Sequence, residues 1–426
     1  MPSVQNSGGN NQQPKLWTPV FVVVIAVTFC SFMVGQGTNS GSTVYLSRLG
    51  ETSTLAGIGA TVFSVAAAVS RIVSGPISDT KGRLIVMICG TVVLLAGVGG
   101  QALTGSIELF LFWRLLQGIG FAAVTTAAAT AAADVLPIER LGEGIGYSGL
   151  GQALAMACGP ALAITLVSTE PPENLYWGLS AIAVCAFVLC FFCRYEKRPE
   201  KLPETATYRR IAEQRKAHPE QERKKPGLIN SILEPGALAG GIPMMVISPA
   251  LGFIIFFAGL IGTTMGIANA GLFYTMTAVS MISVRLASKR FMDRVPAIKI
   301  HAVAVLGCVV AFILLIIVVT ADLDMGARTA LYYIAGLPYG LCPGLAIPIN
   351  QAVAVKNSSA ERWGAANGLY LLLTDVGIGI AATIWGITND TFGFAFTMCC
   401  VIVFVIASLF VAMLCYPEAD KKWRRQ

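Results

Sequence analysis

The sequence predicts an all-α membrane protein, twelve transmembrane helices arranged as two six-helix pseudo-repeats. Three observations carry this. Only 12% of the 426 residues are charged and 55% are hydrophobic, whereas a soluble domain carries roughly 25% charged residues. The mean hydropathy is +0.69. Apolar stretches near the length of about 20 residues that crosses a hydrocarbon core recur twelve times, with a long polar interval after the sixth.

In chain order, the first six spans are expected at 18–39, 54–74, 84–104, 107–133, 143–168 and 175–194. The second six are expected at 242–261, 269–288, 299–320, 329–355, 365–387 and 394–415. The first span follows Lys15, as a signal peptide would. It is too long for one and lacks an A-x-A site, so it reads as a retained helix. Residues 1–17 ahead of it, rich in Asn, Gln, Ser and Gly, have the composition of a disordered tail. Residues 195–241 alternate bases such as Arg209, Arg215 and Lys224 with Glu204, Glu213 and Glu220, punctuated by Pro199, Pro203, Pro219 and Pro226. This is a basic, solvated linker suited to anionic lipid headgroups. It joins bundles at 18–194 and 242–415, and 416–426 forms a short tail.

The loops are asymmetric in charge. Lys81, Arg83, Arg140, Lys289, Arg290, Arg294, Lys299, Lys356, Arg362 and the C-terminal Lys421, Lys422, Arg424 and Arg425 fall on one side. Arg48 and Arg328, beside Glu51, Glu170, Glu173, Asp322, Asp324 and Asp390, fall on the other. Positive residues stay inside, which places both termini in the cytoplasm of a multi-pass plasma-membrane protein. The net charge of +7 then reports topology, and no nucleic-acid partner is needed to explain it.

The two histidines, His218 and His301, and eleven scattered cysteines form no metal cluster, nucleophile triad or phosphate loop. No enzyme, cofactor or metal is therefore expected. Cys190 and Cys193 have redox spacing but no second pair nearby, and read as small hydrophobes. Asn389-Asp-Thr391 is a glycosylation sequon in a very short loop.

The halves echo each other. Arg71 and Asp79, eight apart, recur as Arg285 and Asp293, and Glu139-Arg140-x-Gly142 recurs as Glu361-Arg362-x-Gly364. Matching offsets at two places argue for a duplicated six-helix unit. The second copy is degraded, with Lys289 where the first has Gly75.

Polar residues at membrane depth are the candidates for chemistry. Asp375 is the only carboxylate near the middle of a span, among small residues in Thr374-Asp375-Val-Gly377-Ile-Gly379. A buried carboxylate is poised to carry a proton, and the other reading is permanent pairing with a base or backbone amides. Glu143, at the cytoplasmic start of the fifth span, is a second candidate, with a solvated carboxylate as the favoured reading. Arg114 lies about two turns inside the fourth span, where an unpaired guanidinium is costly. It must face a cavity, carbonyls or an acid. Gln36, Asn39, Tyr147, Gln152, Tyr274, Asn350 and Gln351 are candidates for the substrate cavity, although such residues more often make helix–helix hydrogen bonds.

Three stretches resemble a known family. Gly75-Pro-Ile-Ser-Asp79-Thr-Lys-Gly82-Arg83 resembles the second-to-third-helix signature of the major facilitator superfamily, although Leu84 replaces a second base. Arg114-Leu-Leu-Gln117-Gly118-Ile-Gly120-Phe-Ala122 matches its fourth-helix pattern. Gly146 and Gly159-Pro160 match part of the fifth-helix antiporter pattern, with Ala155, Ala163 and Ile164 in glycine places. The chain is most similar to the bacterial drug:proton antiporter and sugar-efflux branches. The resemblance implies the major facilitator fold, a bacterial inner-membrane location and a monomer. It also implies a gating segment of Arg71, Gly75, Asp79, Gly82 and Arg83. There Asp79 would meet the start of the eleventh helix between two arginines and latch the cytoplasmic side, unless the segment is only a topology anchor. Arg114 would join Asp375 in proton coupling, or serve only to bond a neighbouring helix.

The expected function is proton-coupled efflux of a small amphipathic or drug-like organic solute by alternating access, with the solute, protons and membrane lipids as partners. The alternatives are a proton symporter or uniporter importing a sugar or small metabolite, and a non-transporting membrane sensor.

Overall fold

The computed structural model describes residues 15–103, 105–137, 140–197, 199–209, 213, 234–288, 295–358 and 363–416, without the side chains of Asp79, Leu141, Glu143, Lys201, Ser288, Trp363 and Ala365. Six helices make the first half: α1 (Pro19–Arg48), α2 (Ser53–Lys81), α3 (Arg83–Ala102), α4 (Ile107–Val135), α5 (Leu141–Val167) and α6 (Asn174–Cys190). The second half opens with α7 (Leu238–Thr264), α8 (Leu272–Ser288), α9 (Ala297–Thr320) and α10 (Met325–Lys356). The stretch Trp363–Cys415 breaks at Gly393 (φ 79°, ψ 171°) into α11, residues 363–392, and α12, residues 394–415. Twelve helical spans, six on each side of the linker, are thus present among the described residues.

Local chemistry sets the helix starts. Thr18, Thr52, Ser106 and Asp324 each accept, through the side chain, a backbone N–H of the first turn of α1, α2, α4 and α10, supplying acceptors that the first four amides lack. The helices exceed the expected spans where polar turns continue past the apolar stretch, so α1 runs to Arg48 rather than 39 and α2 to Lys81 rather than 74. The segment from Gly75 to Arg83 is therefore mostly the last two turns of α2. The turn itself is Gly82 alone, at φ 101°, a conformation that an L side chain adopts only with strain.

We call the end where α1 begins the near end and the opposite one the far end. Within the first half α1 packs on α4, α5 and α6, and α4 on α2 and α3; within the second α10 packs on α7, α8 and α9. The halves meet along α2 with α11, α5 with α8, and α1 with α7. The start of the linker is folded against the first half. Thr207 N donates to Leu136 O at 3.1 Å, Pro137 bridges to Ala206, and Tyr195, Leu202 and Ala206 are buried.

Candidate functional site at the seam between the halves

The charges of the seam lie on α2 and α11. Arg71 Nε donates to Asp375 Oδ2 at 2.7 Å, with the two side chains 13% and 22% exposed. Arg71 Nη1 also lies 3.4 Å from the Thr125 hydroxyl and 3.3 Å from that of Thr126, both on α4. The guanidinium carbon is 5.9 Å from the centre of the Phe121 ring. A base assigned to the gating segment and an acid assigned to proton coupling thus form one ion pair, joining the halves 304 residues apart in sequence. Asp375 has no base on its own helix, and the seam supplies one.

Farther along this seam the helices are close. Thr61 Oγ1 donates to Gly379 O at 2.5 Å and lies 2.7 Å from Thr383 Oγ1. At Gly57 a Cβ would fall against the Ala382 carbonyl oxygen. Toward the near end, Gly75 and Gly368 both front open space. On the second seam Arg285 of α8 donates to Gly149 O of α5 at 3.1 Å and to Pro343 O at 3.3 Å. Gly271 backs onto Ala161 at the far end. This state is closed at the far end.

Between the halves lies a narrow pocket lined by Met156, Pro160, Leu251, Tyr274, Met281 and Tyr339 among others. No charged side chain lines it.

Arg114 is 1% exposed. Its Nη1 donates to Gln117 Oε1 and its Nη2 to Asn39 Oδ1, both at 2.9 Å, and its Nε to Gly59 O at 3.3 Å. The guanidinium carbon lies 5.0 Å from the centre of the Phe63 ring. Gln101 Nε2 extends the network to Gln117 Oε1 at 3.0 Å. Of the readings open for Arg114, the carbonyl-bonding geometry is the one observed, and every partner belongs to the first half.

At the near end, Arg83 Nε stands 2.9 Å from Asp134 Oδ2 and Nη1 donates to Ser78 O at 3.3 Å. Tyr195 donates its hydroxyl to the same Asp134 oxygen at 2.9 Å. Glu196 accepts the backbone N–H groups of Arg83 and Leu84, both at 2.9 Å, where the α3 dipole favours an anion. Asp134 and Glu196 were missed in the sequence, being respectively at the end of an alanine run and among linker charges. Asp79 lies in the last turns of α2, but its side chain, that of Glu143, and residues Asp293, Glu361 and Arg362 are outside the described set.

The cavity candidates do not converge. Asn39 serves Arg114. The Tyr147 ring packs at a tilt against Trp17, ring centres 5.0 Å apart, and Gln351 Nε2 donates to Asn367 Oδ1 at 2.6 Å. Asn350 belongs to a buried cluster, accepting from the Tyr416 hydroxyl at 2.7 Å with Nδ2 3.2 Å from His301 Nδ1. Tyr274 edges the pocket, but its hydroxyl is taken by Gly259 N and Ile254 O, both at 3.1 Å. Gln36 and Gln152 are half-buried, and Gln36 Oε1 has no hydrogen-bond partner among the described residues. No group of three His, Cys, Asp or Glu side chains that could hold a metal ion occurs among the described residues.

The chain is 23% identical over 373 residues to the staphylopine export protein of Staphylococcus aureus (strain Mu50 / ATCC 700699), covering 84% of this chain and 87% of that one. It is 25% identical over 185 residues to the multidrug resistance protein MdtL of Klebsiella pneumoniae (strain 342), 42% of this chain and 47% of the relative. Its fold is similar to that of the nucleoside transporter NupG, with a TM-score of 0.68 at 13% identity over 94% of this chain and 100% of that structure. The Major Facilitator Superfamily model matches residues 24–382. That match covers most of the first half and the second as far as α11, including both partners of the ion pair, so the chain belongs to the Major Facilitator Superfamily and is a transporter of that family.

Proposed function

We propose that this transporter is a proton-coupled exporter of small amphipathic organic solutes, working by alternating access in a bacterial inner membrane with both termini cytoplasmic. The observation that carries the reading is the Arg71–Asp375 pair, which ties the halves together in the far-closed state. A proton on Asp375 removes the charge that holds Arg71, so proton loading and the separation of α2 from α11 become one event. Such coupling needs a group whose interactions differ between the two states. The apolar pocket between the halves supports a solute with a lipophilic body. Export and drug-resistance names among the relatives favour efflux. In this reading Arg114 fixes α1, α2 and α4 as one rigid unit around the site and does not itself exchange protons.

The test is reconstitution in proteoliposomes containing a pH-sensitive dye, after a thermal-shift screen has identified a stabilising solute. Adding solute on the side of the near end should drive protons out of the opposite compartment toward that side. Proton movement in the same direction as the solute would replace antiport by symport. Transport without proton movement, unchanged in Asp375→Asn, would remove the coupling assignment.

A further inference from the structure

We propose that Asp390 is a gating residue, a far-side latch that caps α2 of the first half from the end of α11 in the second. Its Oδ1 accepts from Ser53 N at 3.0 Å, and its Oδ2 accepts from Thr54 N at 2.6 Å and from the Thr54 hydroxyl at 2.5 Å. The neighbouring Asn389 Nδ2 donates to Ser53 Oγ at 2.8 Å.

The arrangement depends on conformational state for a simple reason. The first amides of α2 have no acceptor within their own helix. Thr52 serves Leu55 N, and Asp390 serves Ser53 N and Thr54 N. A carboxylate is favoured at a helix N-terminus and disfavoured at a C-terminus. Asp390 stands in the last turn of α11, which ends at the Gly393 break, so on its own helix it occupies the unfavourable end. Only docking against α2 reverses that sign. When the far end opens, α2 loses its anionic cap and Asp390 is left at the negative end of α11. Both changes favour the closed state.

Among the described residues Asp390 is the one charged side chain bridging the halves at the far end; Arg48–Glu170 there lies within the first half. The carboxylate is exposed, and water competes for it. The expected shift in the balance of states is therefore about three- to tenfold, between an exposed ion pair and a buried charge-assisted hydrogen bond. The latch stands whether or not Asp375 carries a proton.

Hydrogen–deuterium exchange of the full-length protein in nanodiscs tests it with Asp390→Asn and Asp390→Glu. The asparagine variant should raise exchange about three- to tenfold in the first turns of α2. It should do the same at the distant far-end contact of the other seam, around Ala161 and Gly271. The glutamate variant should stay within about twofold of the unmodified protein. Faster exchange confined to the first turn of α2 would reduce Asp390 to a local helix cap, and no change would leave it no role; either result overturns the latch. If Asp390→Asn does not fold, Ser53→Ala with Thr54→Val keeps the carboxylate and removes two hydroxyl partners. The same two-seam pattern in weaker form is then expected, and an unchanged second seam overturns the proposal.

Discussion

A double-mutant cycle on Arg71 and Asp375 tests the central contact of this transporter. The perturbations are Arg71→Gln, Asp375→Asn and the pair together, chosen to remove charge while keeping side-chain volume. Charge centres about 4 Å apart attract by about 4 kcal/mol at an effective dielectric constant of 20. The side chains are 13% and 22% exposed, so desolvation cancels part of that gain. A net coupling of about 2 kcal/mol is expected, in the range of hydrogen bonds to charged groups. In Asp375→Asn the guanidinium keeps the hydroxyls of Thr125 and Thr126 and the Phe121 face, which limits the damage to the fold. Distances between spin labels at the far end, in a cysteine-replaced background, report the populations of closed and open states. Each single variant should move the balance toward the open state by about 30-fold, the equivalent of about 2 kcal/mol, and the double variant little further. Additive shifts, with coupling below about 0.5 kcal/mol, would refute the claim that this pair holds the halves together.

Other outcomes follow from the same contacts. Asn39→Ala removes the acceptor 2.9 Å from Arg114 Nη2 and should cost about 1–3 kcal/mol as a buried charged donor loses its partner; an unchanged thermal unfolding midpoint would contradict this. Gly57→Val places side-chain atoms on the Ala382 carbonyl of the other half. The overpacking, about 1–3 kcal/mol, falls only on the far-closed state, so spin-label distances at the far end should lengthen; unchanged distances would count against the close seam. Tyr416→Phe deletes the 2.7 Å bond to Asn350 Oδ1, remote from the seam. It should lower stability by about 1 kcal/mol and leave solute transport intact, and a transport defect in a protein of normal stability would tie that cluster to function.

The helices were legible because hydrocarbon thickness is a length that apolar residues report directly. The ends were less so, since α1 continues to Arg48 and α2 to Lys81 once capping and packing, rather than lipid, support the turns. The expected spans 54–74 and 84–104 left both Gly75 and Gly82 between helices, yet only Gly82 makes the turn and Gly75 is interior to α2. Arg114 was recognisable as a buried base needing partners, and the partner Gln117 sits one turn away on the same helix. Asn39 and Gly59, on α1 and α2, needed the packed bundle to be identified. Asp390 looked like part of a loop sequon until the structure set it on the first amides of α2.

By itself the sequence determined twelve membrane spans, a duplicated six-helix plan and the motifs of a transporter family, because periodicity, hydrophobic length and local spacing are properties of neighbours along the chain. Only the tertiary structure decided which charges meet. Arg71 pairs with Asp375, Arg83 with Asp134, and Asp390 with the start of α2, all across different helices and two of them across the halves. A buried charge takes its partner from whatever packing brings within about 3 Å, and that proximity is set by how helices dock, which spacing along the chain does not encode.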